Sequence, residues 1–177
     1  KGKDPRKYKY EEPKPADAKS LPKLPNGWIW VRLEEVTQRI ADVDHKMPDA
    51  VSRGIPYVSP KDFKGNDSVD YEGAKRISRE DFVKLAKKIR PLKGDILMAR
   101  YGTIGIVRKV IDDREFLASY SVAIIRPESS VIDSDYLCLA LQSSGIQAQA
   151  HIAIRSSAVP DLGIRLIKQF VLPLAPY

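Results

Sequence analysis

The chain has 177 residues, 43% of them apolar, which is enough to bury one core of ordinary size and matches the length of a single domain. One cysteine, Cys138, excludes an intramolecular disulfide and suits a reducing cytosol, and no apolar run approaches the roughly eighteen residues of a membrane span. The net charge of +7 is uneven: residues 1–23 carry +4, residues 61–109 carry +6 and the remainder carries −3, a polarised field suited to a polyanion such as nucleic acid, or alternatively a merely solvated basic helix surface.

Residues 1–24 hold Pro5, Pro13, Pro15 and Pro22 among lysines and acids and read as an extended arm or linker. The folded part, 25–177, opens at the turn signal Pro25-Asn26-Gly27. A strand is expected over Trp28–Leu33, then one or two helical turns over Glu34–Ile40. Ile55–Ser59 reads as a short strand that Pro56 restricts to an edge or a strand start, and Ser68–Ser78 has strand-like patches. A helix begins near Ser78. That serine is a good N-cap, Glu80 and Asp81 suit the first turn, and Phe82, Leu85, Ala86 and Ile89 recur at helical spacing until Pro91. Its outer face carries Lys84, Lys87 and Lys88.

Three strands are expected next, over Asp95–Arg100, Ile104–Val110 and Leu117–Arg126. A helix over Ser134–Ser143 with Ser134 as cap, a weaker helical stretch over Ile146–Ile152, and a turn and closing strand over Gly163–Leu174 complete the pattern. Strands and helices mix without regular βαβ alternation, so the fold class is α+β, with a mostly antiparallel, twisted sheet and flanking helices.

The Gly102-Thr103-Ile104-Gly105 turn is not a phosphate-binding loop. A P-loop needs Lys and then Ser or Thr after its second glycine, and here Gly105 is followed by Ile106-Val107. A dinucleotide fingerprint needs a third glycine and a following helix, whereas this run continues as a strand. His45, His151 and Cys138 lack the close spacing of a zinc site; a surface His45 and a partly buried His151 are the simpler reading. A nuclease pattern is weighed in Asp49 with Asp62 and Lys64, which would need both acids on one divalent metal and the lysine beside the attacking water. Its turn context, between Pro60 and Gly65, argues against it.

What remains is a reader of nucleic acid. Lys84, Lys87 and Lys88 suit phosphates; Arg100, Tyr101, Thr103, Ser121, Arg155 and Ser156 lie in three loops able to reach base edges. Each loop has a plainer reading as a hairpin tip, a strand start or a helix-to-strand connection. A protein-interaction module built on the arm and an exposed apolar end is a further alternative.

Taken together, Leu24–Leu33, Ile55-Pro56-Tyr57-Val58, Gly94–Arg100 with Gly102–Gly105, and Phe170–Pro176 resemble, in order and spacing, the target recognition domains of type I restriction-modification specificity subunits. The arm at Tyr8–Pro15 resembles the lead-in to the first recognition domain of some members. The resemblance implies sequence-specific recognition of double-stranded DNA, with each of two domains reading one half of a bipartite site, in a cytoplasmic and non-catalytic subunit. It implies modification subunits that use S-adenosylmethionine to methylate adenine, and a restriction motor subunit that uses ATP and magnesium. No cofactor is expected in this chain, which has no D-P-P-Y or N-P-P-Y run to hold a flipped adenine. The long helices that separate the two domains in such subunits are missing, which implies one recognition domain, the first of two, from a longer protein.

Overall fold

The computed structural model describes residues 21–65, 67–155 and 161–176, without the side chain of Arg155. The part of the expected arm before Leu21 lies outside them, as does Ser156.

Strand β1 (Ile29–Arg32) runs into a 3-10 turn at Leu33–Val36 and then strand β2 (Thr37–Ala41), so the expected helical turns over Glu34–Ile40 are half turn and half strand. Thr37 and Ile40 give way to extended backbone because β2 has a partner to pair with, a tertiary demand that outweighs weak local preference. Next come β3 (Ile55–Val58), β4 (Lys75–Ile77), α1 (Arg79–Ala86), β5 (Ile96–Ala99) and β6 (Val107–Lys109). The remainder is β7 (Leu117–Ala118), β8 (Val122–Pro127), α2 (Ser134–Gln142), α3 (Ser144–Arg155), α4 (Ile164–Lys168) and β9 (Val171–Leu174).

These strands form a ribbon β1-β9, a four-stranded sheet β2-β8-β5-β6 and a three-stranded sheet β4-β3-β7. All pairings are antiparallel except β3 with β7, so the α+β, mostly antiparallel class is what the chain adopts.

The four-stranded sheet is buried on both faces. Leu97, Ala99, Val122 and Ile124 face an apolar cluster with α1 and the three-stranded sheet. Ile96, Met98, Ala123 and Ile125 face a second cluster with the ribbon and the C-terminal helices. That double burial explains why β5 reads Ile-Leu-Met-Ala with no polar alternation. At about 1.5–3 kcal/mol for each large apolar side chain fully withdrawn from water, β5 and β8 are the main anchor of the fold.

Ser78 caps α1 as expected: its Oγ accepts from Asp81 N at 3.1 Å and donates to the Asp81 carboxylate at 2.8 Å. The cap of α2 is Asp133 rather than Ser134, because the Asp133 carboxylate reaches the free N–H groups of Asp135 and Tyr136. Pro56 sits at a strand start, but β3 is the middle strand of its sheet. The missing N–H is tolerated because β7 pairs only with Tyr57 and Val58. The expected strand over Leu117–Arg126 is split at Ser119-Tyr120-Ser121, where the chain leaves one sheet for the other. The expected closing strand over Gly163–Leu174 begins as α4, with Ile167 turned into the core. His151 is exposed on α3, not partly buried, and Cys138 is half-buried. No helix among the described residues is long and apolar enough to cross a membrane.

The hairpin between β5 and β6 turns on Gly102 (φ 71°) and Gly105 (φ 89°). Gly105 is also held by α3: Gln147 Nε2 donates to its carbonyl at 3.0 Å, and a Cβ there would run into the Gln147 amide. Around Gly102 the space is open. Left-handed backbone costs an L-residue roughly 1–2 kcal/mol, so Gly102→Ala should lose about that much stability and Gly105→Ala distinctly more, as read by urea denaturation of the two variants.

Candidate nucleic-acid interface

Where β5 ends, the main chain of Arg100 continues between two neighbours. Its N–H donates to Ser121 O at 2.9 Å, and its carbonyl accepts from Leu162 N at 2.9 Å. The side chain, only 5% exposed, points into the gap between the loops instead of out to solvent. Nε donates to Leu162 O at 3.1 Å, Nη1 to Asp42 Oδ2 and Tyr120 O at 2.9 Å each, and Nη2 to Asp161 Oδ1 at 2.9 Å. One guanidinium therefore holds the β2–β3 loop, the β7–β8 turn and the segment before α4 against the β5–β6 hairpin. Asp42, 7% exposed, is shared further: its Oδ1 accepts from Lys88 Nζ at 2.9 Å, which brings in the end of α1.

This geometry gathers at one end of the four-stranded sheet two of the loops that the sequence singles out separately, the β5–β6 hairpin and the β7–β8 turn. Tyr101 packs under the Arg100 guanidinium (4.7 Å to the ring centroid) and donates its hydroxyl proton to Asp161 at 2.9 Å. Desolvation first, and the Asp161 carboxylate second, push the Tyr101 phenol up from its ordinary value, so it stays a donor. Thr103 is exposed at the hairpin tip, and half-buried Ser121 accepts from the Ser119 hydroxyl at 3.2 Å. Tyr101, Tyr120 and His45 form a ring cluster beside them, with centroids 4.9–6.4 Å apart.

Arg100 itself is corrected by this arrangement. A residue expected nearer the bases is buried, and four of the five guanidinium N–H donors are occupied by protein acceptors. Its partners Asp42 and Asp161 lie 58 and 61 positions away, so nothing local in the sequence signals the burial. The lysines of α1 also divide. Lys84 pairs with Glu80 at 2.7 Å on the exposed face, which raises the ammonium pKa, and Lys88 is tied to Asp42 and, at 3.7 Å, to Asp44. Lys87 is exposed and, among the described residues, without a carboxylate partner. The Arg155 side chain lies outside the described part of the structure, as Ser156 does.

Residues 25–177 match the model of the type I restriction modification DNA specificity domain family. The chain belongs to that family. A structure of a type I R-M system, solved to explain complex assembly and conformational transition, is similar with a TM-score of 0.64 and 22% identity, over 87% of this chain and 39% of that one. The crystal structure of the HsdS subunit from Thermoanaerobacter tengcongensis gives 0.58 and 18%, over 89% and 35%. That of the S subunit from M. genitalium gives 0.58 and 14%, over 85% and 35%. The chain thus spans less than two-fifths of the length of these proteins. No curated protein sequence matches it.

Its family is thus that of a DNA specificity domain, a non-catalytic kind of domain. Two side chains of the nuclease pattern are engaged within the protein. Asp62 is buried as the partner of Ser59, accepting from its N–H at 2.8 Å and its hydroxyl at 2.9 Å, and Lys64 pairs with Asp70 at 3.7 Å. Asp49 lines a surface groove of about 370 Å³ with Asp44, Asp81 and Lys84. No group of acids, histidines and cysteines that could hold a metal ion exists among the described residues.

Sequence reasoning overlooks Asp42 and Asp161 in this specificity domain, gives His45 only a surface role, and takes the loop of Tyr120 without assigning that ring a part. The i,i+3 spacing of Asp42 and His45 is a faint signal; Asp161 has none, because the fold alone brings it to Arg100. Removing one member of a buried ion pair strands the other, which typically costs about 3–5 kcal/mol. Arg100→Ala should therefore destabilise the domain by about that amount in denaturant unfolding, and should weaken all duplexes alike instead of relaxing one base position.

Proposed function

We propose that this chain reads one half of a bipartite double-stranded DNA target, with residues 25–177 as one recognition domain and residues 1–24 as an arm leading into it. In the cytoplasm it acts within a full specificity subunit. That subunit directs methyltransferase partners, which use S-adenosylmethionine, and a restriction motor partner, which uses ATP and magnesium. The observation that carries the reading is the convergence of the β2–β3, β5–β6 and β7–β8 connections on one end of the sheet. Three partly or fully exposed polar side chains, Tyr101, Thr103 and Ser121, stand there on a frame that Arg100 locks underneath. A locked frame matters because base readout needs donors and acceptors held in place before binding.

Within this reading Lys87 meets phosphates, as do Lys84 and Lys88 where their pairing with Glu80, Asp42 and Asp44 leaves hydrogens to donate. Tyr101, Thr103 and Ser121 stand nearest the bases, and Arg155 and Ser156 join them there. Arg100 works from below as a positioning residue.

Methylation-sensitive sequencing of DNA from cells carrying the full-length subunit would give the motif, and duplexes bearing it provide the test. Lys87→Ala should weaken cognate and scrambled duplexes equally and lower the salt slope by about one unit. Thr103→Ala should lose about 1 kcal/mol on the cognate duplex alone. Absence of DNA affinity even at low salt would overturn the reading in favour of a protein-interaction module.

A further inference from the structure

The β2–β3 loop carries a side chain that the DNA-reading function has not yet used. His45 stands three residues beyond Asp42, with its side chain 56% exposed, and its Nε2 lies 3.3 Å from Asp42 Oδ2. Arg100 shares that same carboxylate oxygen, and Lys88 takes the other. With two cations on it, Asp42 is a carboxylate that only accepts, so in the neutral ring the proton sits on Nε2. Nδ1 then keeps its lone pair, and no hydrogen bond engages it among the described residues. The ring is also fixed in orientation. Tyr120 packs along it at 4.9 Å and 34°, and Tyr101 meets it edge-on at 6.4 Å and 79°.

In its neutral form the ring is a preset acceptor with a narrow choice of partners on a duplex. Phosphate oxygens are acceptors and are refused. In the major groove the donors are the N6 amine of adenine and the N4 amine of cytosine. Beside the ring, Met47 is 71% exposed, with its sulfur 3.9 Å from the Tyr120 hydroxyl, and offers apolar surface to the neighbouring base edge. We propose that His45 is a specificity-determining residue whose Nδ1 accepts a hydrogen bond from the exocyclic amine of an adenine or a cytosine in the half-site. The proposal rests on the DNA-reading function above.

The variant His45→Phe tests it, because phenylalanine preserves the packing against Tyr120 and Tyr101, removes the acceptor, and leaves Asp42 held by Arg100 and Lys88. Both the full chain and the variant are selected on a random duplex library in mildly alkaline buffer, and their unfolding midpoints are compared. The unaltered chain should enrich a motif with adenine or cytosine at one position. His45→Phe should retain the fold, the salt slope and the rest of the motif, and lose preference at that position by about tenfold. A duplex whose base at that position lacks the amine should cost the unaltered chain the same factor and the variant nothing. An unchanged motif in His45→Phe, or an equal loss on every sequence, would overturn the role of His45. Failure of the unaltered chain to enrich any motif would instead overturn the DNA-reading function, and this proposal with it.

Discussion

A guanidinium and a carboxylate withdrawn from water carry a large desolvation cost, and the Arg100–Asp42 pair persists because the protein supplies acceptors and donors in place of water. Asp161, two main-chain carbonyls, Lys88 and His45 complete the arrangement. Such networks stabilise only when their members are satisfied, and among the described residues no buried side-chain nitrogen or oxygen lacks a partner. The pair sits at the end of β5, a strand buried along its whole length, so the loops are referenced to the middle of the core. At the other end of β5, Asp95 and Arg126 form a bidentate pair at 2.8 and 2.9 Å, with Asp95 also accepting from Leu92 N. The strand is thus bracketed by two ion pairs, a half-buried one fixing the exit from α1 and a buried one fixing the proposed reading surface.

The charge pattern that first points to a polyanion changes meaning in three dimensions. Much of the positive surplus between Lys61 and Lys109 is engaged by carboxylates from elsewhere in the chain: Arg79 with Glu115, Lys109 with Asp135, Lys88 and Arg100 with Asp42. Exposed pairs of this kind contribute little stability and can exchange partners, whereas the buried ones cannot. Net charge therefore describes the long-range field felt by an approaching duplex, and says little about which cations remain available at contact.

Local signals were readable wherever the determinant is local. Ser78 with Asp81, the glycine turn of the β5–β6 hairpin and the apolar run of β5 all lie within a few residues of what they specify. Their elements stand where periodicity puts them. The family resemblance was legible for a related reason, since it rests on short motifs in order. Features decided by distant partners were not. The split at Ser119–Ser121 follows from two sheets competing for one run of chain, and α4 forms because Ile167 has a core to enter. Arg100 illustrates the difficulty most clearly: beside a hairpin tip, an arginine bound for solvent and one bound for a buried network look alike in sequence.

Two of the acceptors that Arg100 uses, the carbonyls of Tyr120 and Leu162, belong to the main chain, and it is held in turn through its own N–H and C=O. Main-chain groups are the same whatever side chain they carry. The side chains at positions such as 101, 103, 120 and 121 can therefore be exchanged without withdrawing these main-chain bonds. A domain fastened in this way behaves like a type-holder with replaceable letters: selection, or an engineer, can rewrite the reading surface while the clamp beneath it stays shut.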